Sequence, residues 1–202
     1  MKSILCFGDS NTFGVNPENN ERFSRTERWT GRLQTLLGPD YYVIEEGYCG
    51  RTTCFSDDSD PFKSAIKVLD LVMSTHKPLD LVILMLGTND FKTQFSMTAK
   101  VSGYALKKIA EKIHAYGVQV LIVSPITLGE GVENSRFWEM DRRAFEEIKK
   151  VPAVYLEVAR LTGSFFFAAS TVATAGPDCL HINADGHKAL ALALADKVKE
   201  IL

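Results

Sequence analysis

The sequence predicts an α/β fold: a three-layer α/β/α arrangement around a five-stranded parallel sheet with the flavodoxin-like, doubly wound strand order. Two observations support this prediction. Short apolar runs rich in β-branched residues alternate with longer segments of helical periodicity, which is typical of βαβ units. The third of these runs, "DLVILML", is apolar at almost every position, as expected for a strand that is buried on both faces. Crossovers between parallel strands are almost always right-handed, so few other topologies remain.

Glycine and proline bound several of the predicted strands. Gly8 follows the first run, Pro78 precedes the third and Pro125 closes the fourth, and both residue types commonly interrupt regular structure. The predicted strands are residues 4–7, 41–45, 80–86, 119–124 and 164–168.

Between the strands, apolar residues recur at intervals close to 3.6 and predict amphipathic helices. The fourth helix is long, and we expect a break near Val151-Pro152 because proline disfavours helical backbone in the residue before it. Asn183 is the predicted N-cap of the last helix. The predicted helices are residues 28–37, 61–74, 98–116, 134–161 and 184–202.

Length and composition predict a single domain that spans residues 1–202. The 23 basic and 25 acidic residues are evenly mixed and give a net charge of −2, which offers no electrostatic footprint for nucleic acid or an anionic membrane. No apolar run approaches the length of a membrane-spanning helix, and the N-terminal "ILCF" is too short for a signal-peptide core. We therefore expect a cytoplasmic protein with neither nucleic-acid nor membrane partners.

The cysteines form neither a C-x-x-C pair nor a zinc-binding pattern. Free thiols are the usual state in a reducing compartment, and the first cysteine lies in a predicted buried strand, where it behaves as a small apolar residue. The sequence therefore predicts reduced thiols, and neither a metal nor a cofactor. The four cysteines are Cys6, Cys49, Cys54 and Cys179.

The loops that follow the strands carry the residues suited to catalysis, since ligands of doubly wound sheets bind beyond the carboxyl ends of the strands. The first strand is followed by Gly8-Asp9-Ser10-Asn11, the second by "EEGYCGRTT" and the third by Gly87-Thr88-Asn89-Asp90. Ahead of the last helix, "PDCLHIN" places Asp178 three residues before His181. These loops supply a hydroxyl, backbone N–H groups, a side-chain amide and a carboxylate close to an imidazole, which are the parts required for acyl transfer.

Acyl transfer requires each of these groups. A serine such as Ser10 becomes nucleophilic when a base removes its proton. The imidazole of His181 can accept that proton and return it to the leaving group, while Asp178 accepts a hydrogen bond from the other ring nitrogen. The oxyanion of the tetrahedral intermediate needs fixed donors, for which the N–H groups of Ser10 and Gly50 and the side-chain amide of Asn89 are candidates.

Each group also has a simpler interpretation. A Gly-Asp-Ser segment is most often an ordinary turn. Asp178 and His181 are possible metal ligands, although no third ligand stands at a convincing spacing. His187 is the rival base, but it falls inside the last predicted helix and has no aspartate placed as Asp178 is for His181.

Four blocks of the chain resemble those of the SGNH (GDSL-type) hydrolases. They are Gly8-Asp9-Ser10, Gly50, Gly87-x-Asn89-Asp90 and Asp178-x-x-His181, and they match that family in order and spacing. The segments "ILCFGDSNTFG", "VIEEGYCGRTT" and "LDLVILMLGTND" are similar to the arylesterase and acyltransferase branch of the family.

The resemblance implies the SGNH hydrolase fold, with Ser10 as nucleophile, His181 as base and Asp178 as its partner. It also implies hydrolysis of acetyl-type, short-chain esters, with acyl transfer or carbohydrate deacetylation as variants, and a homo-oligomer. Glu45-Glu46 stand where the family often has an asparagine-containing stretch, so Gly47 competes with Gly50 for the oxyanion role. Alignment with the family pattern favours Gly50.

Several residues beside these blocks are predicted to support the site or to line its pocket. Arg51 either lines the pocket or forms a salt bridge at its rim, and Asp90 braces its loop. The large aromatic residues Trp29, Phe137 and Trp138 belong to the core, to an acyl-pocket wall or to an oligomer contact, and the sequence does not decide among these. The supporting or pocket residues are Asp9, Asn11, Arg51, Thr88 and Asp90.

A non-hydrolytic, flavodoxin-like module that binds a mononucleotide is the alternative function. The same fold hosts many activities. Against this alternative, the loop after the first strand has only Gly8 and Gly14 around an acidic residue, whereas a phosphate needs a cradle of backbone N–H groups.

Overall fold

The five predicted strands form one parallel sheet in the order β2-β1-β3-β4-β5. The computed structural model describes residues 1–55, 60–137 and 139–202, so Trp138 lies outside the described residues. The doubly wound order predicted from the sequence is confirmed, and the predicted strands differ from the observed ones by at most two residues at either end. The strands are β1 Lys2–Gly8, β2 Tyr41–Gly47, β3 Leu81–Met85, β4 Gln119–Ser124 and β5 Phe165–Ala168.

Helices cover both faces of this sheet and enclose two apolar cores. The helices are α1 Ser10–Phe13, α2 Trp29–Leu37, α3 Ala65–His76, α4 Ala99–His114, α5 Arg142–Ile148, α6 Val151–Thr162 and α7 Ala184–Ile201. Alternate residues of β1 point to opposite faces, as the strand period requires: Ile4 and Cys6 pack against α2 and α7, whereas Leu5 and Phe7 pack against α3, α4 and α6.

The region predicted as one long helix, residues 134–161, contains two helices instead. The break lies where it was expected, since α5 ends at Ile148 and α6 begins at Val151 with Pro152 in its first turn. Proline is tolerated there because the first N–H groups of a helix have no intrahelical partner. Residues 135–137 and 139–141 precede α5 without helical structure, because Asp141 caps the helix by accepting a hydrogen bond from the Ala144 N–H at 2.8 Å.

Two other helix ends show how local sequence sets the boundaries. The predicted helix 61–74 begins with a separate 3₁₀ turn, Pro61–Lys63, before α3 starts at Ala65. Asn183 caps α7 as predicted, since its side-chain oxygen accepts a hydrogen bond from the Gly186 N–H at 2.8 Å. In the part of the chain that the structure describes, no helix combines the length and the apolarity needed to cross a bilayer.

The carboxyl ends of β1, β2 and β3 lie side by side. Gly8, the last residue of β1, pairs with Gly47 on one side and with Met85 on the other. The loops that leave these three strands therefore start from the same edge of the sheet, next to the point where the strand order reverses, which is where doubly wound folds bind their ligands.

Candidate active site

The turn from β1 to α1 places Ser10 at the first residue of a one-turn helix. Asp9 caps this helix, because its carboxylate accepts a hydrogen bond from the Asn11 N–H at 2.9 Å. The N–H groups of Thr12 and Phe13 donate to the Asp9 carbonyl. The N–H of Ser10 itself has no acceptor within the described residues, so it is free to bind an anionic oxygen.

Ser10, His181 and Asp178 form a continuous chain of hydrogen-bonding groups. The Ser10 Oγ lies 2.9 Å from His181 Nε2, and His181 Nδ1 lies 2.7 Å from Asp178 Oδ2. All three side chains are buried. The structure thus brings together the three residues that the sequence predicted as nucleophile, base and orienting acid, although 171 positions separate Ser10 from His181.

Hydrogen bonds inside the loop before α7 hold Asp178 and His181 together. The second carboxylate oxygen of Asp178 accepts from the N–H groups of Leu180 and His181 at 2.9 and 2.8 Å. The Gly176 N–H donates to the His181 carbonyl at 2.7 Å, and Cys179 takes a positive φ of 64° to let the loop close. One aspartate therefore shapes the loop and contacts the imidazole that the loop carries.

The surroundings of Asp178 favour its ionised form. Burial by itself would raise the pKa of this carboxyl, but the hydrogen bonds from the His181 ring and from the N–H groups of His181 and Leu180 outweigh it and lower the pKa below its usual value. The guanidinium of Arg136 lies 3.3 Å from the same Oδ2 that contacts His181. A carboxylate held in this state can stabilise an imidazolium beside it.

A cleft of about 220 Å³ opens over Ser10 and also exposes the candidate oxyanion residues. The Asn89 amide donates one hydrogen bond to the Arg51 carbonyl at 3.1 Å, and an amide nitrogen carries a second hydrogen that can donate elsewhere. The cleft is lined by Ser10, Phe13, Val15, Asn20, Cys49, Gly50, Asn89, Lys92, Phe137, Leu180 and His181.

The structure assigns different surroundings to the two competing glycines. Gly50 has a φ of +79° in a turn closed by the Arg51 N–H and the Tyr48 carbonyl, and its own N–H has no acceptor within the described residues. Gly47 ends β2, where a Cβ atom would lie 2.2 Å from the Phe13 nitrogen. Gly47 therefore permits close packing of α1 against β2, whereas Gly50 lines the cleft.

Asp90 joins the two loops that carry Gly50 and Asn89. Its carboxylate accepts from the Thr53 N–H and hydroxyl, both at 2.8 Å, and from the Ser102 hydroxyl at 2.6 Å. Burial raises the pKa of Asp90, although these hydrogen bonds act in the opposite direction. The bracing role predicted for Asp90 agrees with these contacts.

Ser102 and Tyr155 are two members of this network that sequence reasoning missed. Ser102 lies on α4 and Tyr155 on α6, and their hydroxyls are 2.8 Å apart in the core. Both residues stand among the apolar residues of a helix face that points inward. A polar residue on such a face was the signal in the sequence that could have identified them.

Arg51 contacts the backbone near the carboxyl ends of β1 and β2 and is not among the residues that line the cleft. Its buried guanidinium donates to the carbonyls of Gly8 and Glu46 at 3.1 and 2.7 Å and lies 3.5 Å from the Glu46 carboxylate. Of the two interpretations of Arg51, pocket residue or salt-bridge partner, the contacts fit the second. Thr88 is buried beside Asn89 and is likewise absent from the cleft lining.

The rival base, His187, is part of the core. Its Nδ1 accepts a hydrogen bond from the Trp29 N–H at 3.2 Å, and its ring meets Phe23 edge to face. Burial, with smaller contributions from nearby cations, lowers the pKa of His187 to about 3. A fully buried ring that is already bound to α2 cannot exchange protons with a substrate, so His181 is the better candidate.

The aromatic residues left undecided by the sequence have distinct positions. Trp29 is fully buried and donates from Nε1 to the Asn11 carbonyl at 3.0 Å, so it belongs to the core next to the site. Phe137 lines the cleft and meets the His181 ring edge to face at 5.4 Å.

Asp9 is a buried carboxyl directly beside Ser10, with 1% of its surface exposed. Burial raises its pKa from 3.8 to about 6, against the opposing effects of the Asn11 N–H and of His181. The folded protein therefore binds a proton at Asp9 more tightly than the unfolded chain does. As the pH rises from about 4 to about 6, ionisation of Asp9 progressively lowers the free energy of unfolding, and the full loss persists at higher pH.

We expect Asp9→Asn to stabilise the protein at pH 8, because the amide carries no charge to bury and its oxygen can still cap α1. A shift from 3.8 to about 6 corresponds to at most about 3 kcal/mol. The free energy of unfolding from urea titrations should show this gain at pH 8 and lose it by pH 4, where Asp9 is largely protonated. A gain that does not depend on pH would contradict the explanation.

Comparisons with known proteins agree with this geometry. A model described as the GDSL-like Lipase/Acylhydrolase family matches residues 6–189. The inhibitor-bound aryl esterase of M. smegmatis is 34% identical, with 100% of both chains covered and a TM-score of 0.95. A carbohydrate acetylesterase from Sinorhizobium meliloti is 33% identical, also over 100% of both chains, with a TM-score of 0.95. No curated protein sequence matches the chain at a significant level.

Proposed function

Because the chain belongs to the GDSL-like lipase/acylhydrolase family, it is a carboxylic ester hydrolase, and we propose that it cleaves short-chain, acetyl-type esters through an acyl-enzyme on Ser10. The observation that carries this proposal is the chain of contacts from Ser10 Oγ through His181 to Asp178, at 2.9 and 2.7 Å, in a cleft where the N–H groups of Ser10 and Gly50 have no acceptor among the described residues.

In the first half of the reaction, Ser10 Oγ attacks the ester carbonyl carbon while His181 Nε2 accepts the hydroxyl proton. The carbonyl oxygen becomes an oxyanion and accepts hydrogen bonds from the N–H groups of Ser10 and Gly50 and from the Asn89 amide. Asp178 stabilises the imidazolium through Nδ1. When the intermediate collapses, the bond to the alcohol oxygen breaks, His181 returns the proton to that oxygen, and an acyl group remains on Ser10.

In the second half, water attacks the acyl-enzyme and gives up a proton to His181, and the acid leaves as Ser10 recovers its hydrogen. An alcohol can take the place of water, in which case the product is a new ester. Acyl transfer and carbohydrate deacetylation therefore use the same groups, and they differ in which hydroxyl compound enters or leaves the cleft.

The cleft suits a small, uncharged acyl group. Its volume of about 220 Å³ is bounded by apolar side chains, among them Phe13, Val15 and Phe137. The ammonium group of Lys92, which also lines the cleft, is paired with the Glu139 carboxylate at 3.0 Å. A charged acyl group would lose hydration on entering such a site, and Lys92 among the lining residues is already held in an ion pair.

A panel of 4-nitrophenyl esters from acetate to octanoate tests the proposal. We expect hydrolysis with kcat/KM highest for acetate and falling as the acyl chain lengthens, because the added methylenes exceed the space over Ser10. Reactions with added alcohol, analysed for new ester, report acyl transfer. If no ester in the panel is hydrolysed, the proposal fails; a yellow protein with bound flavin would instead favour the mononucleotide-binding module.

We also propose a cytoplasmic location and a homo-oligomeric state. The free thiols of Cys6, Cys49, Cys54 and Cys179 are consistent with a reducing compartment. Large apolar side chains that are exposed on the surface, such as Leu71, Tyr104 and Leu161, offer area for contacts between copies. Analytical ultracentrifugation of the full chain measures the oligomeric state directly.

A further inference from the structure

The side chain of Asn11 forms hydrogen bonds on both sides of His181. Its Oδ1 accepts from the Ile182 N–H at 2.9 Å, and its Nδ2 donates to the Leu180 carbonyl at 3.5 Å. Asn11 directly follows Ser10 in the chain, so a single residue links the backbone that carries the serine to the backbone on either side of the histidine.

Asn11 is itself held firmly in place. Its N–H donates to the Asp9 carboxylate at 2.9 Å, and its carbonyl accepts from Trp29 Nε1 at 3.0 Å. Only 2% of its surface is exposed. Every polar group of the residue therefore has a partner within the protein, which fixes the position of the side-chain amide.

Few other hydrogen bonds connect the two segments. Within the described residues, the hydrogen bonds between residues 8–15 and residues 175–183 are the two from Asn11 and the Ser10–His181 contact itself. The other hydrogen bonds of the loop are internal, continue into the first turn of α7, or reach residues 129, 130 and 136, as in the bonds from the Gly129 N–H to the Cys179 carbonyl and from Arg136 to the Asp178 carboxylate. Within the described residues, Asn11 therefore supplies the hydrogen bonds that link these two segments directly, apart from the Ser10–His181 contact.

We propose that Asn11 is a positioning residue, which keeps the His181 imidazole within hydrogen-bonding distance of the Ser10 hydroxyl during turnover. This inference rests on the proposed function, in which His181 is the base. Proton transfer requires the two atoms to stay within hydrogen-bonding reach, and a displacement of about 1 Å can slow a reaction about 100-fold.

Leucine is a suitable replacement for Asn11 in a test of this link. The GDSL motif carries leucine at its fourth position, whereas this sequence reads Gly8-Asp9-Ser10-Asn11. A leucine fills a similar volume but can form neither of the two hydrogen bonds. The substitution Asn11→Leu therefore removes the link without leaving a large cavity.

The test compares Asn11→Leu with Gln34→Leu. Gln34 is a matched control because its side chain also bridges backbone groups: it accepts from the Val43 N–H at 2.8 Å and donates to the carbonyls of Tyr41 and Gly38 at 2.9 and 3.2 Å. It lies near the opposite end of β2, away from the cleft. Asn11→Leu loses buried hydrogen bonds and Gln34→Leu loses partly buried ones, so each variant should unfold at a lower temperature.

We expect Asn11→Leu to lower kcat for 4-nitrophenyl acetate by about 10- to 100-fold with little change in KM, whereas Gln34→Leu should keep the wild-type kcat. The decisive measurement repeats Asn11→Leu in a His181→Ala background. A residue that acts through His181 loses its effect when the imidazole is gone, so the double variant should match His181→Ala alone.

Three outcomes are informative. The inference is overturned if folded Asn11→Leu keeps the wild-type kcat. It is also overturned if the substitution lowers kcat by the same factor with and without His181. An unchanged kcat in His181→Ala alone overturns the proposed function instead, whatever Asn11→Leu does. If Asn11→Leu does not fold, Asn11→Asp replaces it: the carboxylate keeps the acceptor for the Ile182 N–H but loses the donor to Leu180, and a wild-type kcat and pH profile in this variant would overturn the inference.

Discussion

Ser10→Ala should lower kcat for an activated acetyl ester by on the order of 10⁴- to 10⁶-fold. The variant has no hydroxyl to form an acyl-enzyme, so only the oxyanion donors and substrate binding remain to accelerate attack by water. His181→Ala should cause a loss of similar size, because the hydroxyl then has no base at 2.9 Å to take its proton. Both losses are measured as the rate of 4-nitrophenol release at a saturating concentration of 4-nitrophenyl acetate.

Ser124→Ala is the matched control for Ser10→Ala. Ser124 is the last residue of β4, and its buried hydroxyl has no hydrogen-bond partner within the described residues. Its removal should leave kcat unchanged. A Ser10→Ala protein that turns over the ester at the wild-type rate would rule out the acyl-enzyme mechanism, provided that mass spectrometry confirms the substitution.

Asp178→Asn should lower kcat by about 10²- to 10⁴-fold, a smaller loss than in Ser10→Ala. The amide oxygen can keep the hydrogen bonds from the N–H groups of Leu180 and His181, so the loop should persist. The amide nitrogen cannot accept from His181 Nδ1. The ring is then stabilised in the tautomer with a hydrogen on Nε2, which cannot act as a base toward Ser10.

The measurement for Asp178→Asn is kcat across a pH series, with Asp141→Asn as control. Asp141 caps α5 by accepting from the Ala144 N–H at 2.8 Å, so its substitution weakens a helix cap without touching His181. We expect Asp141→Asn to retain the wild-type kcat. If Asp178→Asn keeps kcat within about threefold of wild type at every pH, Asp178 does not orient the imidazole.

The strands, and the residues that meet at the cleft, were predictable because the signals are local. Each strand is an apolar run bounded by glycine or proline, and parallel strands necessarily end at a common edge. Ser10, Asn89 and the Asp178–His181 pair each follow such a segment or precede a helix within a few residues. Once the sheet order is fixed, convergence of the loops after β1, β2 and β3 follows from the topology, whereas the Asp178–His181 loop follows β5 at the edge of the sheet and must cross back to reach Ser10.

Other parts of the site depend on packing between distant segments, which a single sequence does not reveal. The contact between Arg136 and Asp178 joins loops 42 positions apart, and nothing in the sequence distinguishes Arg136 from an ordinary surface charge. Ser102 and Tyr155 meet only because α4 packs on α6. The start of α5 was also missed, since the cap at Asp141 competes with an apolar pattern that begins earlier.

The acyl-enzyme on Ser10 can be tested most directly by covalent labelling. A serine-directed phosphonate, incubated with the full chain and located by peptide mass spectrometry, should modify Ser10 at one equivalent per chain. The rate of ester hydrolysis should fall in proportion to the fraction of chains labelled. Cys49 also lines the cleft, so a label on Ser10 without a label on the Cys49 thiol shows that the reagent reacts selectively with the serine. We predict a phosphonate adduct on Ser10 that is absent from Ser10→Ala and forms slowly in His181→Ala; an active enzyme that is inhibited through another residue, or that is never labelled at Ser10, would contradict the account.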